Sequence, residues 1–304
     1  MNLAFELLVG LAVGAHISTW GMYKDSIHEG FTLPKYLRST MVGLFWAPVA
    51  ARFVGIDATA ASGMVVLFGL TYALERSTTE FWKTFIRDED QSKYFIPMQF
   101  HVFGRVLRNR VARLAVGLGF VSVALLLLWT VQTVQPEPGT KGPLWQLILV
   151  ASIGGWFSAF GGAFKDAPIE GFETLKFFRS PVSATFWGLL VSNFTDSYAI
   201  IALSAIGFTV CTLETYKTFF FPSVPRGKFA GKPILFPEML ETRKKFVFLC
   251  AAIWMGIVGS FTVAFVQLPG DVAPVAAARS TTLIDLWRQG APAFGVFVPS
   301  ERER

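Results

Sequence analysis

The sequence predicts an all-α, polytopic integral membrane bundle of two same-orientation repeats, about four membrane helices in each and about eight in all. Three observations predict it. The 304 residues are 53% hydrophobic and 16% charged, with a mean hydropathy of +0.49, too apolar for an ordinary water-soluble domain. Four runs, Leu3 to Met22, Leu114 to Val134, Leu144 to Phe164 and Phe246 to Gln267, each reach the roughly 20 apolar residues that cross the hydrocarbon core as a helix. Finally, one charged motif occurs twice. Lys24-Asp25-Ser26-Ile27-His28-Glu29-Gly30-Phe31 returns as Lys165-Asp166-Ala167-Pro168-Ile169-Glu170-Gly171-Phe172. Lys35 to Ser39 and Phe45-Trp46 then match Lys176 to Ser180 and Phe186-Trp187, and Glu80 to Phe85 matches Glu214 to Phe219.

The first repeat occupies 1–135 and the second 136–268, joined at the Pro/Gly-bearing stretch Gln135 to Gly142. Residues 269–304 follow as a non-cytoplasmic tail, in which Ser280 to Arg288 has the composition of a short surface helix or of a loosely ordered end. Within each repeat a closely spaced pair lies between the long spans: Thr40 to Ala51 with Ile56 to Leu74, and Pro181 to Ser192 with Tyr198 to Leu213. The first member of each pair is short enough to be re-entrant, and both a crossing pair and a dipping hairpin satisfy the pattern. Either way the chain returns to the side it left, so the two charged motifs of a repeat face one compartment. Their loops hold every Lys and Arg except Arg52, Lys141 and the four arginines of the tail. The positive-inside rule therefore makes the motifs cytoplasmic and both termini non-cytoplasmic, and the repeats are related by an axis along the membrane normal.

The net charge of +6 sits beside apolar spans, which points to anionic headgroups rather than nucleic acid. Cys211 and Cys250 lie in apolar runs without a CxxC spacing and read as small buried hydrophobes, so no metal site or cofactor is expected. The first apolar run lacks a basic n-region and a small-residue cleavage site and is expected to be kept as a span.

The candidate ligand-binding residues are Lys24, Asp25, Glu29, Arg38, Ser39, Glu80 and Lys83, with their counterparts Lys165, Asp166, Glu170, Arg179, Ser180, Glu214 and Lys217. Asp25 and Glu29 share a helix face, as do Asp166 and Glu170. Such pairs could hold Mg²⁺ beside a phosphate or supply a base. The competing reading is a self-neutralised cluster in which Lys24, Lys35, Arg38 and Lys83 pair with Asp25, Glu29 and Glu80. Arg38-Ser39 and Arg179-Ser180 stand just before the next apolar runs, where first-turn amides, a guanidinium and a hydroxyl would form an anion site; otherwise the serines are N-caps and the arginines snorkel. Lys83 and Lys217 follow an acid by three residues, a spacing shared with ordinary surface ion pairs. Gly14 and Gly21, matched by Gly155 and Gly162, allow close helix crossing or mark a transport site. His16 reads as the only ionisable group inside a long span, and His28 as the acid or base of a specialised first half. Phe221 to Glu241 reads as a turn-rich flap over the cytoplasmic face.

No GxxxxGK[ST], HExxH or GxSxG pattern occurs. The expected function is binding of an anionic phosphorylated or lipid-headgroup ligand at the cytoplasmic face, for transport or lipid translocation, with membrane lipids, an anionic small molecule or other membrane subunits as partners. The alternatives are a lipid-phosphate enzyme with Mg-bound carboxylates and a noncatalytic subunit of a membrane complex. Retention of nearly every charged position in both halves argues against catalysis.

Overall fold

A computed structural model describes residues 2–137, 140, 142–222 and 227–268; the tail and its Ser280 to Arg288 segment, Lys141, Pro225 and Arg226 lie outside the described residues. Among the described residues the protein is an all-helical bundle of eight principal helices: α1 (Leu3–Glu29), α2 (Leu33–Val54), α3 (Ala61–Phe81), α4 (Arg110–Thr133), α5 (Leu144–Glu170), α6 (Thr174–Val191), α7 (Tyr198–Thr215) and α8 (Met239–Val266). Among the described residues five are long and apolar enough to cross a membrane: α1, α4, α5, α8, and α7 with its continuation to Phe220. Four of these hold the four long sequence runs to within one residue at their ends. Single π-helical turns continue α3 over Trp82–Ile86 and α7 over Tyr216–Phe220.

Glycine ends α1 and α5, each of 27 residues. Gly30 (φ 70°, ψ 177°) and Gly171 (φ 85°, ψ 162°) occupy a backbone region that a Cβ would strain, and their amides close the last turns on Ser26 and Ala167. The chain then turns directly into α2 or α6. These helices start earlier than the apolar runs indicate: α2 has 22 residues and α6 has 18. Lys35, Arg38 and Ser39 thus lie on α2 itself, and Lys176, Arg179 and Ser180 on α6. The N-caps are Thr32 and Glu173, so Ser39 and Ser180 are not caps, and neither serine stands at a set of free first-turn amides.

The core sits where α3 crosses α7. A Cβ on Gly207 would fall 1.9 Å from the Gly69 carbonyl oxygen, so the two backbones touch. Ser204 Oγ donates to the Val66 carbonyl (3.1 Å), and the rings of Phe68 and Phe208 stack beside it. Around this crossing, α1 packs on α2 and α5 on α6. A Cβ on Gly14 would reach 2.4 Å from Thr40 Cα, and one on Gly155 would reach 2.5 Å from Pro181 Cα. Gly21 and Gly162 face open space. Of the small-residue pairs singled out in the sequence, one member of each is used for packing and the other is not. Trp46 Nε1 donates to Thr78 Oγ1 and Trp187 Nε1 donates to Thr212 Oγ1, both at 2.9 Å. α4 and α8 bury little of their apolar surface, as helices facing lipid do.

The α3–α7 crossing can be tested directly. Gly207→Ala is expected to lower the thermal unfolding midpoint of the detergent-solubilised protein by the equivalent of about 1–3 kcal/mol of overpacking, whereas Gly161→Ala, with nothing within 4 Å of the new carbon, is expected to leave it unchanged.

Candidate functional site

The loops on one face of the bundle cross over. After α7, the segment around Leu235 and Phe236 donates both amides to the Ile27 carbonyl at the end of α1 (2.9 and 3.0 Å), and His28 Nδ1 meets the Pro233 carbonyl at 2.9 Å. After α3, a short hairpin pairs His101–Val102 with Arg105–Val106 and packs against α5, where Gly104 approaches Ile169. The described part of the Phe221 to Glu241 flap therefore covers the first carboxylate helix, not the helix that precedes it.

At the end of α1, one lysine of that flap takes both acids. Lys228 Nζ lies 2.9 Å from Asp25 and 3.2 Å from Glu29, over the rings of Phe229 and Tyr94. Glu29 also meets Lys35 at 3.6 Å and accepts from Tyr94 OH at 3.3 Å. Asp25 and Glu29 thus have a partner, Lys228, that lies outside the expected set. His28 stacks on Phe229 and binds the flap, which ties the proposed acid–base group to a structural contact. Glu80 is held by Arg76 and by Lys83 at 3.2 Å. Arg38 lies over Trp82, and Ser39 is buried beside Glu75.

The corresponding region at the end of α5 differs in one respect: it is open. Lys176 spans Glu170 (2.8 Å) and Asp166 (3.6 Å), while Lys217 meets Glu214 at 2.5 Å. Between α5, α6 and α7 lies a cavity of about 160 Å³ whose wall includes Asp166, Lys176, Arg179, Ser180, Glu214 and Lys217. Gly162, the glycine that packs against nothing, lines it too. Arg179 forms no hydrogen bond or ion pair among the described residues, and its Nε is buried without an acceptor. The two clusters also touch. Lys24 reaches across to Glu214 (3.6 Å), and Lys165 is an electrostatic neighbour of Glu80.

Five of the expected residues therefore line one cavity: Asp166, Arg179, Ser180, Glu214 and Lys217. Glu170 stands behind Lys176, while Lys24 and Lys165 serve as links between the clusters. Lys176 and Lys228, which bond the two carboxylate pairs, are not among the site residues expected from the sequence. Lys176 was within reach, six residues after the acid-bearing helix end Glu170 and matched by Lys35; nothing in the sequence ties Lys228 to Asp25.

Deeper in the bundle, His16 is fully buried and shared between Tyr72 OH (3.1 Å) and Thr215 Oγ1 (3.0 Å), with Cys211 and Cys250 sulfurs at 3.8 Å. Both cysteines are buried, as their reading as small hydrophobes expects, and both have His16 as a neighbour. Nor is His16 the only ionisable group in a long span. Glu6 of α1 is buried and paired with Arg52 at 3.3 Å, about 28 Å from Asp25 along the helix by its rise per residue.

On the π-helical turn, burial pushes the Lys83 ammonium down to about 8 against the pull of Glu80. In the unfolded chain this lysine keeps its proton to about 10.5. Between these values the unfolded state binds the extra proton, so the Lys83 contribution to stability rises as pH rises from about 8 to 10.5. A ¹³C-methylated lysine resonance assigned with Lys83→Arg is expected to titrate near pH 8 in the folded protein; a midpoint near 10.5 would contradict the burial.

No family model, no curated protein and no solved structure matches this chain, so the functional reading rests on the geometry alone.

Proposed function

We propose that the protein is built of two repeats with both charged clusters on the cytoplasmic side and both termini outside, and that it binds an anionic, phosphorylated or lipid-headgroup ligand in the cavity between α5, α6 and α7, for transport or lipid translocation. The carrying observation is Arg179: a guanidinium lining a cavity, without an anion of its own. Taking charge out of water is costly unless it is paired, and a phosphate oxygen is the natural partner for an Arg fork. Lys217 and the Ser180 hydroxyl line the same wall and supply further donors. The carboxylates fit this role better than Mg²⁺ binding, because Asp166 and Glu170 already share Lys176, as Asp25 and Glu29 share Lys228.

The matched features of the halves support the repeat. They are the glycine-terminated α1 and α5, the two Trp–Thr bonds and the two π-helical turns bearing Lys83 and Lys217. Lys24 bonded to Glu214 supports placing both clusters in one compartment.

Two measurements test this reading. In vesicles reconstituted with the purified protein, exchange of a fluorescent phospholipid between leaflets is expected to fall about tenfold or more on Arg179→Gln, the scale of a lost charged hydrogen bond, with the protein still folded. Absence of exchange with the wild type would eliminate translocation. For orientation, Glu29→Cys and Glu170→Cys are expected to be labelled by impermeant thiol reagents only after the cytoplasmic face is exposed; labelling on opposite faces would break the same-orientation repeat.

A further inference from the structure

The occupied region at the end of α1 indicates what the open one at the end of α5 lacks. Aligning Glu80 with Glu214 sets Arg76 against Val210 and Glu75 against Thr209; aligning Asp25 with Asp166 sets Met22 against Ala163 and Tyr36 against Phe177. In the first half, Arg76 places its guanidinium on Glu80, and Lys228 places an ammonium on Asp25 and Glu29. In the second half, Val210, Thr209 and Ala163 leave the 160 Å³ cavity, and Asp166 has no loop lysine bonded to it among the described residues. The first half adds Arg76 and the flap lysine Lys228 to its carboxylates. The second has Lys176 on Asp166 and Lys217 and Lys24 on Glu214, and both carboxylates also line the cavity.

Resting on the anion-binding reading above, we infer that this cavity takes a zwitterion: a primary ammonium seated between Asp166 and Glu214, and a phosphate on Arg179, Ser180 and Lys217. Three acids (Asp166, Glu173, Glu214) and three bases (Lys176, Arg179, Lys217) line it, so its wall is balanced rather than basic. A ligand carrying only negative charge meets the acids as well as the bases; a ligand with both charges satisfies both sets. A primary ammonium fits better than a quaternary one, because the groups holding the tethered cations are carboxylate oxygens, which take N–H donors. The volume is below the roughly 300–1,000 Å³ of sites for drug-sized molecules, which limits the ligand to a headgroup of a few heavy atoms. Phe172 in the cavity wall, with Leu175 and Phe178 beside it on α6, is exposed and apolar. This rim suits acyl chains, so the ethanolamine-type phospholipid headgroup is the assigned source, and free phosphoethanolamine has the same chemistry.

Native mass spectrometry of the full-length protein in mixed micelles containing dioleoyl phosphatidylethanolamine, phosphatidylcholine or phosphatidylglycerol tests the inference. Wild-type protein is expected to retain phosphatidylethanolamine about tenfold better than either of the others. Val210→Arg installs the first half's own cation, and Asp166→Asn removes one ammonium acceptor. Both are expected to abolish that preference while phosphatidylglycerol retention persists, with unfolding midpoints confirming folded variants. Arg179→Gln is expected to lower retention of all three lipids.

Equal retention of phosphatidylglycerol and phosphatidylethanolamine by the wild type, or a preference untouched by both Val210→Arg and Asp166→Asn, would overturn the zwitterion and leave the anion site standing. Retention unaffected by Arg179→Gln would instead remove the anion site. Binding of free phosphoethanolamine without retention of any lipid would support the zwitterion and identify a soluble source.

Discussion

The contact on which the rest of the structure depends is the backbone crossing of α3 and α7 at Gly69 and Gly207. Inside a bilayer the hydrophobic effect does not drive helices together, so close packing of small residues and the bonds it permits must do so. Here the missing side chains let two carbonyl-bearing backbones meet, with Ser204 bonded to Val66 beside them. The two helices that end in the Glu–Lys turns are thereby joined at mid-length. Their charged ends then lie close enough for Lys24 of α1 to bond Glu214 of α7. A wider crossing would separate these groups and leave Glu214 with Lys217 alone.

Compensation of charge is the second organising principle. Ionic side chains at the edge of an apolar medium persist when paired, and Asp25, Glu29, Glu80, Asp166, Glu170 and Glu214 each have a base within 4 Å. The pairing is achieved differently in the two clusters. One is closed by residues from distant parts of the chain, Arg76 on α3 and Lys228 on the flap. The other is closed locally by Lys176 and Lys217, and Arg179, like Arg38 in the first cluster, has no acid bonded to it among the described residues. The asymmetry between the clusters therefore arises less from the repeated charged residues than from the uncharged positions between them, where Val210 and Ala163 are small.

This explains what was legible in the sequence. The all-helical, membrane-type character and the four longest helices follow from uninterrupted apolar runs, while the helix ends at Gly30 and Gly171 came from the structure. The starts of α2 and α6 were obscured because Lys35, Arg38, Lys176 and Arg179 made their first turns look like loop; Pro34 near the start of α2 was the usable signal. Charged motifs picked out five residues of the cavity wall. Lys228 escaped because its partners are about two hundred positions away, and periodicity carries no information about pairing across that distance. The cavity escaped because a void comes from residues too small to fill a space, which a search for reactive groups passes over.

The crossed flaps have a consequence for synthesis at the ribosome. The last turn of α1 receives its cover, Leu235 and Phe236 on Ile27, Lys228 on Asp25 and Glu29, and Arg243 on the Tyr23 carbonyl, from residues translated some two hundred codons later. Until then Glu29 has Lys35 and Tyr94, and neither acid has Lys228. The end of α1 is thus made long before its cover, which is complete only once Arg243 at the start of α8 has been translated.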